Sequence, residues 1–182
     1  MGRAAIAPTG QERTFGVGEL IVSKTDVKGH ITYANDVFLR LARYESHEVV
    51  GEPHNVIRHP EMPRGVFHLL WQALSEGNEL FAVINNLASD GAHYWVLAHV
   101  TPSHDESGAI VGYHSNRHLP DRPLIDAVRP LYRRMLTEEA QHNRVVDAAR
   151  AGADLLTRHC AENDMSYDEF IWQLIHSTGN DS

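Results

Sequence analysis

The densest group of residues able to do chemistry is the run Pro53-His-Asn-Val-Ile-Arg-His-Pro-Glu-Met-Pro63. It holds Asn55, Arg58, His59 and Glu61 on a backbone stiffened by three prolines, so it is neither a regular helix nor a central strand. A rigid loop carrying a forked guanidinium and a tunable imidazole suits a clamp on a polar or anionic ligand. An internal Arg58–Glu61 pair that only orders the loop is the competing reading. Asn35, Asn85 and Asn86 add amides to segments that read as strands, where amides are disfavoured. Facing a pocket, such an amide needs a partner, and a heteroaromatic edge supplies one. Asn35 can alternatively cap the helix that opens at Asp36. Trp71, Tyr94 and Trp95 add aromatic area, with Trp71 expected in the core.

Other chemistry is missing. Thirteen histidines invite a metal or a base, yet no His-Glu-x-x-His occurs, and His54 and His59 are five apart across prolines. His93 and His99 share a strand face but stand about 20 Å apart. There is no Gly-x-Ser-x-Gly, phosphate loop or dinucleotide fingerprint. The single cysteine, Cys160, lies in a helical tail and reads as a buried, inert thiol. These absences argue against an enzyme. A net charge of −8 argues against a nucleic-acid partner held through phosphates. No apolar run approaches the ~18 residues that span a membrane, and the start at Met1 is too short for a secretory signal. The expectation is a cytoplasmic protein.

The elements that must position these residues follow from glycine punctuation. Short β-type runs at residues 20–25 and 30–34 flank Asp26-Val-Lys-Gly29, runs at 81–87 and 93–101 flank Ser89-Asp-Gly91, and a last run at 109–117 follows Asp105-Glu-Ser-Gly108. Tight turns join antiparallel strands. Between the second and third runs the spacing predicts short helices at 36–42 and 46–50. After the proline loop it predicts an amphipathic helix opened by Pro63, with Val66, Phe67, Leu70, Trp71 and Leu74 on one face. The prediction is an α+β fold: a five-stranded antiparallel sheet with helices over one face and a pocket between. Residues 1–19 read as an N-terminal flap, 20–119 as the sensor-sized domain, and 120–182 as a C-terminal helical segment for dimerisation or output. In that tail Leu124, Val128, Leu131 and Met135 form a stripe, and Ser166 with Glu169 marks a capping box.

Taken together, Ile31-Thr-Tyr-Ala-Asn-Asp36, Gly51-Glu-Pro-His-Asn55, Arg58-His-Pro-Glu-Met-Pro63, Asp90-Gly91 and His93-Tyr-Trp-Val96 resemble a PAS domain, specifically the sensor of bacterial aerotaxis receptors. The resemblance runs from about Ile21 to Asn116 and leaves residues 121–182 unexplained. It implies the PAS fold and a non-covalently bound FAD that serves as a redox or oxygen sensor for energy taxis. Carried over, the flavin-binding positions are Arg58, His59, Glu61 and Trp71. Glu61 stands where the family usually has Asp, and Leu80-Phe81 where the aerotaxis receptor has Trp, so Phe81 substitutes for an indole. With Asn35, His54, Asn55, Asn86 and Trp95, these complete the expected cofactor-binding set. A cysteinyl photoadduct is excluded, because Cys160 lies in the tail. Two alternatives stand beside FAD: haem b in a gas sensor, with His54, His59 or His68 as axial ligand, and a cofactor-free PAS interaction module. A homodimer signalling to a separate chemotaxis or other transducer is expected.

Overall fold

The computed structural model describes residues 6–178. The first five residues of the expected flap lie outside the described residues. The order is β1 (Ile21–Thr25), β2 (Ile31–Ala34), α1 (Asp36–Ala42), α2 (Ser46–Val49), a 3-10 turn (His54–Ile57), α3 (Arg64–Ser75), β3 (Leu80–Leu87), β4 (His93–His104), β5 (Ile110–His118), α4 (Arg122–Glu139), α5 (Val145–Ala161) and α6 (Tyr167–Thr178). The five strands form one sheet in the order β2-β1-β5-β4-β3. Thus the expected sheet, the two short helices, the Pro63-opened helix and the helical tail are all present, and only the ends of elements shift. No helix among the described residues is long and apolar enough to cross a membrane.

The chain divides into two compact units, and the division is not linear. Residues 1–60 and 84–119 form the first; residues 61–83 and 120–182 form the second. The boundary therefore falls inside β3, and α3 groups with the tail helices.

In the first unit, Gly29 (φ 82°) takes the left-handed position that closes the β1–β2 hairpin. Asp26 Oδ1 braces that turn by accepting from the backbone N–H of Lys28 (2.8 Å) and His30 (2.9 Å). β1 pairs antiparallel with both β2 and β5, and β4 with β5, in register Ser23↔Ser115, Ile21↔Arg117, Val100↔Ser115 and Ala98↔Arg117. Residues directly opposite share a face. Ile21, Ser23, Ser115, Arg117, Ala98 and Val100 therefore lie on one face, with Tyr94 and Val96 by alternation along β4. The fully buried Ile21, Phe38, Leu41, Val49, Ile57, Tyr94, Val96 and Ala98 belong to this unit's core. The N-terminal residues run beside the start of β4. Thr9 N–H donates to Gly91 O (2.8 Å), His93 N–H to Gln11 O (2.9 Å) and Arg13 N–H to His93 O (2.7 Å). Gly91 permits that approach, since a Cβ there would sit 2.5 Å from Ala7 O.

The second unit is a helical cluster built on contacts of α3 and α4 with α5 and of α6 with α4 and α5. Val66, Leu70 and Leu74 of α3 are buried, as are Leu124, Val128, Leu131 and Met135 of α4, so the tail stripe is core. Trp71 corrects its expectation: it is 41% exposed rather than packed inside. Its angular position on α3 lies at the edge of the Val66–Leu70–Leu74 stripe, where a large ring cannot be fully enclosed.

Candidate functional site

A buried guanidinium organises the interior of the first unit. Arg117 of β5 is 3% exposed, because its parity places it on the inner face with Ser23 and Ser115. Its Nη2 donates to Ser23 Oγ (2.9 Å) and to His54 Nε2 (2.6 Å). The guanidinium lies over the Phe38 ring, 5.8 Å from its centroid, in a cation–π contact. The Phe38 ring in turn meets His54 edge-on, with centroids 6.1 Å apart. Among the described residues no carboxylate pairs with Arg117, and its Nη1 has no hydrogen-bond partner. Burial, opposed by the neighbouring Tyr94 hydroxyl, lowers its pKa to about 10, so it stays charged at neutral pH.

Burial and this charge together set the state of its neighbour. His54 Nε2 lies beside Arg117 Nη2 and Ser23 Oγ (3.1 Å), so that nitrogen accepts and carries no proton. Burial first, then the Arg117 charge, lowers the His54 pKa to about 3. The ring is neutral throughout the physiological range, and the nitrogen that an axial metal bond would need is already engaged.

Further buried polar atoms of this unit lack partners, among them Tyr94 OH, Ser115 Oγ and Asn86 Nδ2. Tyr94 is fully buried and burial raises its hydroxyl pKa, so it is a neutral phenol that can donate or accept. Native interiors leave few such groups, since each lost hydrogen bond costs on the order of 1–3 kcal/mol. Tyr94 and Ser115 lie on the same sheet face as Arg117.

The expected residues distribute as follows. Arg58 and Asn86 are brought together by an antiparallel bridge, so the proline loop reaches the β3 residue nominated with it. Asn86 is 3% exposed and Asn85 5%. His59 is buried, and its ring meets that of His93 at 5.7 Å between centroids. Asn55 is exposed and accepts from Arg58 N–H through its carbonyl at 3.0 Å. Asn35 is consumed by the chain itself. Its Oδ1 accepts from Phe38 N–H and Val22 N–H, both at 3.0 Å, and its Nδ2 donates to Leu20 O at 2.8 Å. It is the cap of α1 and a pin on β1, which engages its Oδ1 twice and one of its two N–H donors. Trp95 alternates to the sheet face opposite Arg117 and is buried there, so it is not brought to the Arg117 cluster.

Glu61, Trp71 and Phe81 fall in the second unit. Glu61 is exposed. Phe81 packs against Trp172 of α6 with centroids 4.8 Å apart, so the residue at the indole position is engaged by the tail. A cleft of about 390 Å³ in this unit is lined by α3, the start of β3 and the start of α6. None of the residues nominated from the sequence lines it. Cys160 is buried and its thiol pKa is raised by burial, in keeping with an inert thiol.

Comparison with known proteins places this geometry. The PAS fold family matches residues 31–117. The chain carries a PAS domain. Its sequence is 40% identical over 113 residues to the aerotaxis receptor of Escherichia coli (strain K12), covering 62% of this chain and 22% of that protein. It is 27% identical over 148 residues to phototropin-2 of Oryza sativa subsp. japonica, covering 81% of this chain and 16% of that protein. The chain thus spans less than a quarter of either relative. The PAS fold also superposes on the light-state structure of the blue-light photoreceptor Aureochrome1 LOV, with a TM-score of 0.53 and 25% identity. That match covers 64% of this chain and 91% of that one.

Arg117, Ser115 and Ser23 were not nominated from the sequence, and Tyr94 was singled out there only for its aromatic area. The signal available was parity: Arg117 and Ser115 share the odd positions of β5 with the aromatic Tyr113. A terminal arginine on a strand ordinarily reads as a solvated end.

Proposed function

We propose that this PAS domain is a sensor that binds a flavin, FAD in the first instance, non-covalently in the first unit and reports its redox state through the C-terminal helices. The observation that carries the reading is Arg117, a buried cation without a counter-charge among the described residues, on the same sheet face as the partnerless hydroxyls of Tyr94 and Ser115. A flavin ring system supplies carbonyl and ring-nitrogen acceptors and gains negative charge on reduction, which suits that donor set. Arg117, Asn86, Ser115 and Tyr94 would hold its polar edge, with Arg58 and His59 on the loop bridged to Asn86. Similarity to the aerotaxis receptor supports the same reading and suggests an energy-taxis type of signal passed to a separate transducer.

The chain's residues bind and tune rather than catalyse. Arg117 favours the more negative state of whatever it holds. His54, kept neutral, relays that state to Ser23 through the shared Nη2 contacts. The test is the absorption spectrum of the purified full chain, untreated and after incubation with FAD. A protein-bound flavin band that disappears in Arg117→Ala is expected. A colourless protein that takes up no FAD overturns the reading, and a Soret band replaces it with haem.

A further inference from the structure

Three local anomalies in the second unit resolve at a single point. α3 opens after Pro63 with no side-chain cap and no acidic residue in its first turn, although that position normally calls for both. α4 ends in Glu138-Glu139 with no basic residue in its last turn, the wrong sign for its own dipole. α5 carries Gly152 in mid-helix, where Gly is about 1 kcal/mol less favourable than Ala. The side chain of Glu139 joins all three. It is 7% exposed; Oε2 accepts from the backbone N–H of Arg64 (2.9 Å) and Oε1 from that of Gly65 (2.8 Å). The carboxylate is thus the missing cap of α3, supplied from more than seventy residues downstream. A Cβ on Gly152 would lie 2.2 Å from Glu139 Oε1, and a Cβ on Gly65 would lie 2.4 Å from Ala153 N. Both glycines are required for the three helices to converge on the carboxylate.

We infer that Glu139 is a two-state latch between α3 and the C-terminal helices, closed while its carboxylate caps the α3 N-terminus and opened when that terminus shifts. The physical reason for two states is the burial. Stretching either hydrogen bond strands a carboxylate away from water, which is unfavourable by several kcal/mol, so the node releases as a whole rather than yielding gradually. α3 begins directly after Pro63, at the end of the loop that carries Arg58 and His59. A displacement of that loop is therefore delivered covalently to the two amides that Glu139 holds. The latch itself stands on the second unit alone; only the stimulus that opens it rests on the flavin reading above.

Hydrogen–deuterium exchange on the full chain tests it. Glu139→Gln keeps one acceptor but turns an amide N–H₂ toward the second backbone donor. It is expected to speed exchange at Arg64, Gly65 and throughout α4 and α5 at least tenfold, with β4 and β5 unchanged. Glu138→Gln, which removes the same charge from the same turn, is expected to change nothing. Should Glu139→Gln fail to fold, Gly152→Ala crowds the same oxygen and is expected to give the same pattern. The inference is overturned if the faster exchange stops at Arg64 and Gly65, if Glu138→Gln reproduces it, or if β4 and β5 loosen equally. In protein whose spectrum shows bound FAD, dithionite reduction is expected to speed the same tail amides. Identical exchange in both redox states overturns the coupling and leaves the flavin reading intact.

Discussion

The two units treat buried polar groups in opposite ways. In the second, Tyr132 OH donates to Val83 O at 2.7 Å and Tyr167 OH to Phe81 O at 2.9 Å, while Glu139 accepts from two amides. In the first, Arg117, Tyr94, Ser115, Asn86, His93 and Thr25 each keep a buried polar atom without a partner, and no described residue of the second unit does so. Burial depth does not explain this, because Tyr94 and Tyr132 are both buried phenols with hydroxyl pKa values raised by burial. What differs is completeness. The helical unit closes its own buried side-chain hydrogen bonds, whereas the sheet unit leaves several of its buried polar atoms without a partner among the described residues.

Arg117 is the sharpest place to break that contrast. Replacing it with Met removes the uncompensated charge, so the protein without FAD should gain stability on the order of 2 kcal/mol, because an apolar side chain of similar volume replaces a desolvated ion. The same substitution should lower FAD affinity at least a hundredfold, about 3 kcal/mol. Thermal unfolding with and without FAD reads both effects in one experiment. A variant destabilised in both states would make Arg117 an ordinary structural residue and would dissolve the distinction between the units.

His54 sharpens it further through pH. Its folded pKa of about 3 lies below the unfolded value near 6.5, so the unfolded chain binds the extra proton between those limits. Stability from this group is fully present above about pH 6.5 and is lost as pH falls toward 3. The lowered carboxylates Glu19, Asp26, Asp90 and Asp105 act on stability at lower pH, which leaves pH 5 to 6.5 to His54. At about 1.4 kcal/mol per pH unit, that window should lose about 2 kcal/mol. Urea titrations at several pH values should show the slope, and His54→Gln should flatten it. An unchanged slope would mean that burial and the Arg117 charge do not hold the ring neutral.

Much of this arrangement was legible in the residues. Glycine-marked turns located the five strands because a left-handed position leaves few alternatives to Gly. The Pro53–Pro63 stretch announced a fixed irregular loop because proline withholds N–H donors. What stayed hidden is long-range. The face that Arg117 occupies depends on the β1–β5 and β4–β5 registers, which no local pattern states. The grouping of α3 with the tail depends on Glu139 and Gly152, each of which looks locally unfavourable until the other appears beside it. Trp71, carried over from the family resemblance, proved partly exposed, and Trp95, singled out for its aromatic area, lies on the far sheet face.

Asn35 separates structure from binding on the first unit. Three bonds to Leu20 O, Val22 N–H and Phe38 N–H make it a cap and a strand pin. Asn35→Ala should therefore lower stability by about 1–2 kcal/mol while the folded fraction retains its FAD stoichiometry. Denaturant melts paired with flavin-to-protein absorbance ratios would show it. Loss of flavin from a fully folded Asn35→Ala would return this residue to the binding set.

The smallest effect is the most direct comparison, since it asks the same question of both units with a single oxygen. Tyr132→Phe removes a hydroxyl that donates to Val83 O and leaves that buried carbonyl short of a donor, so stability should fall by about 1 kcal/mol or more. Tyr94→Phe removes a hydroxyl that bonds to no group among the described residues. Without FAD the loss of a desolvated, unpaired polar atom should leave stability unchanged or raise it by a few tenths of a kcal/mol. With FAD bound, the sign should reverse, because the hydroxyl then has a partner to lose. Paired melts of the two variants, each with and without FAD, therefore give four numbers. On the flavin proposal only the Tyr94 pair should depend on FAD, since the Tyr132 hydroxyl already has its partner within the second unit.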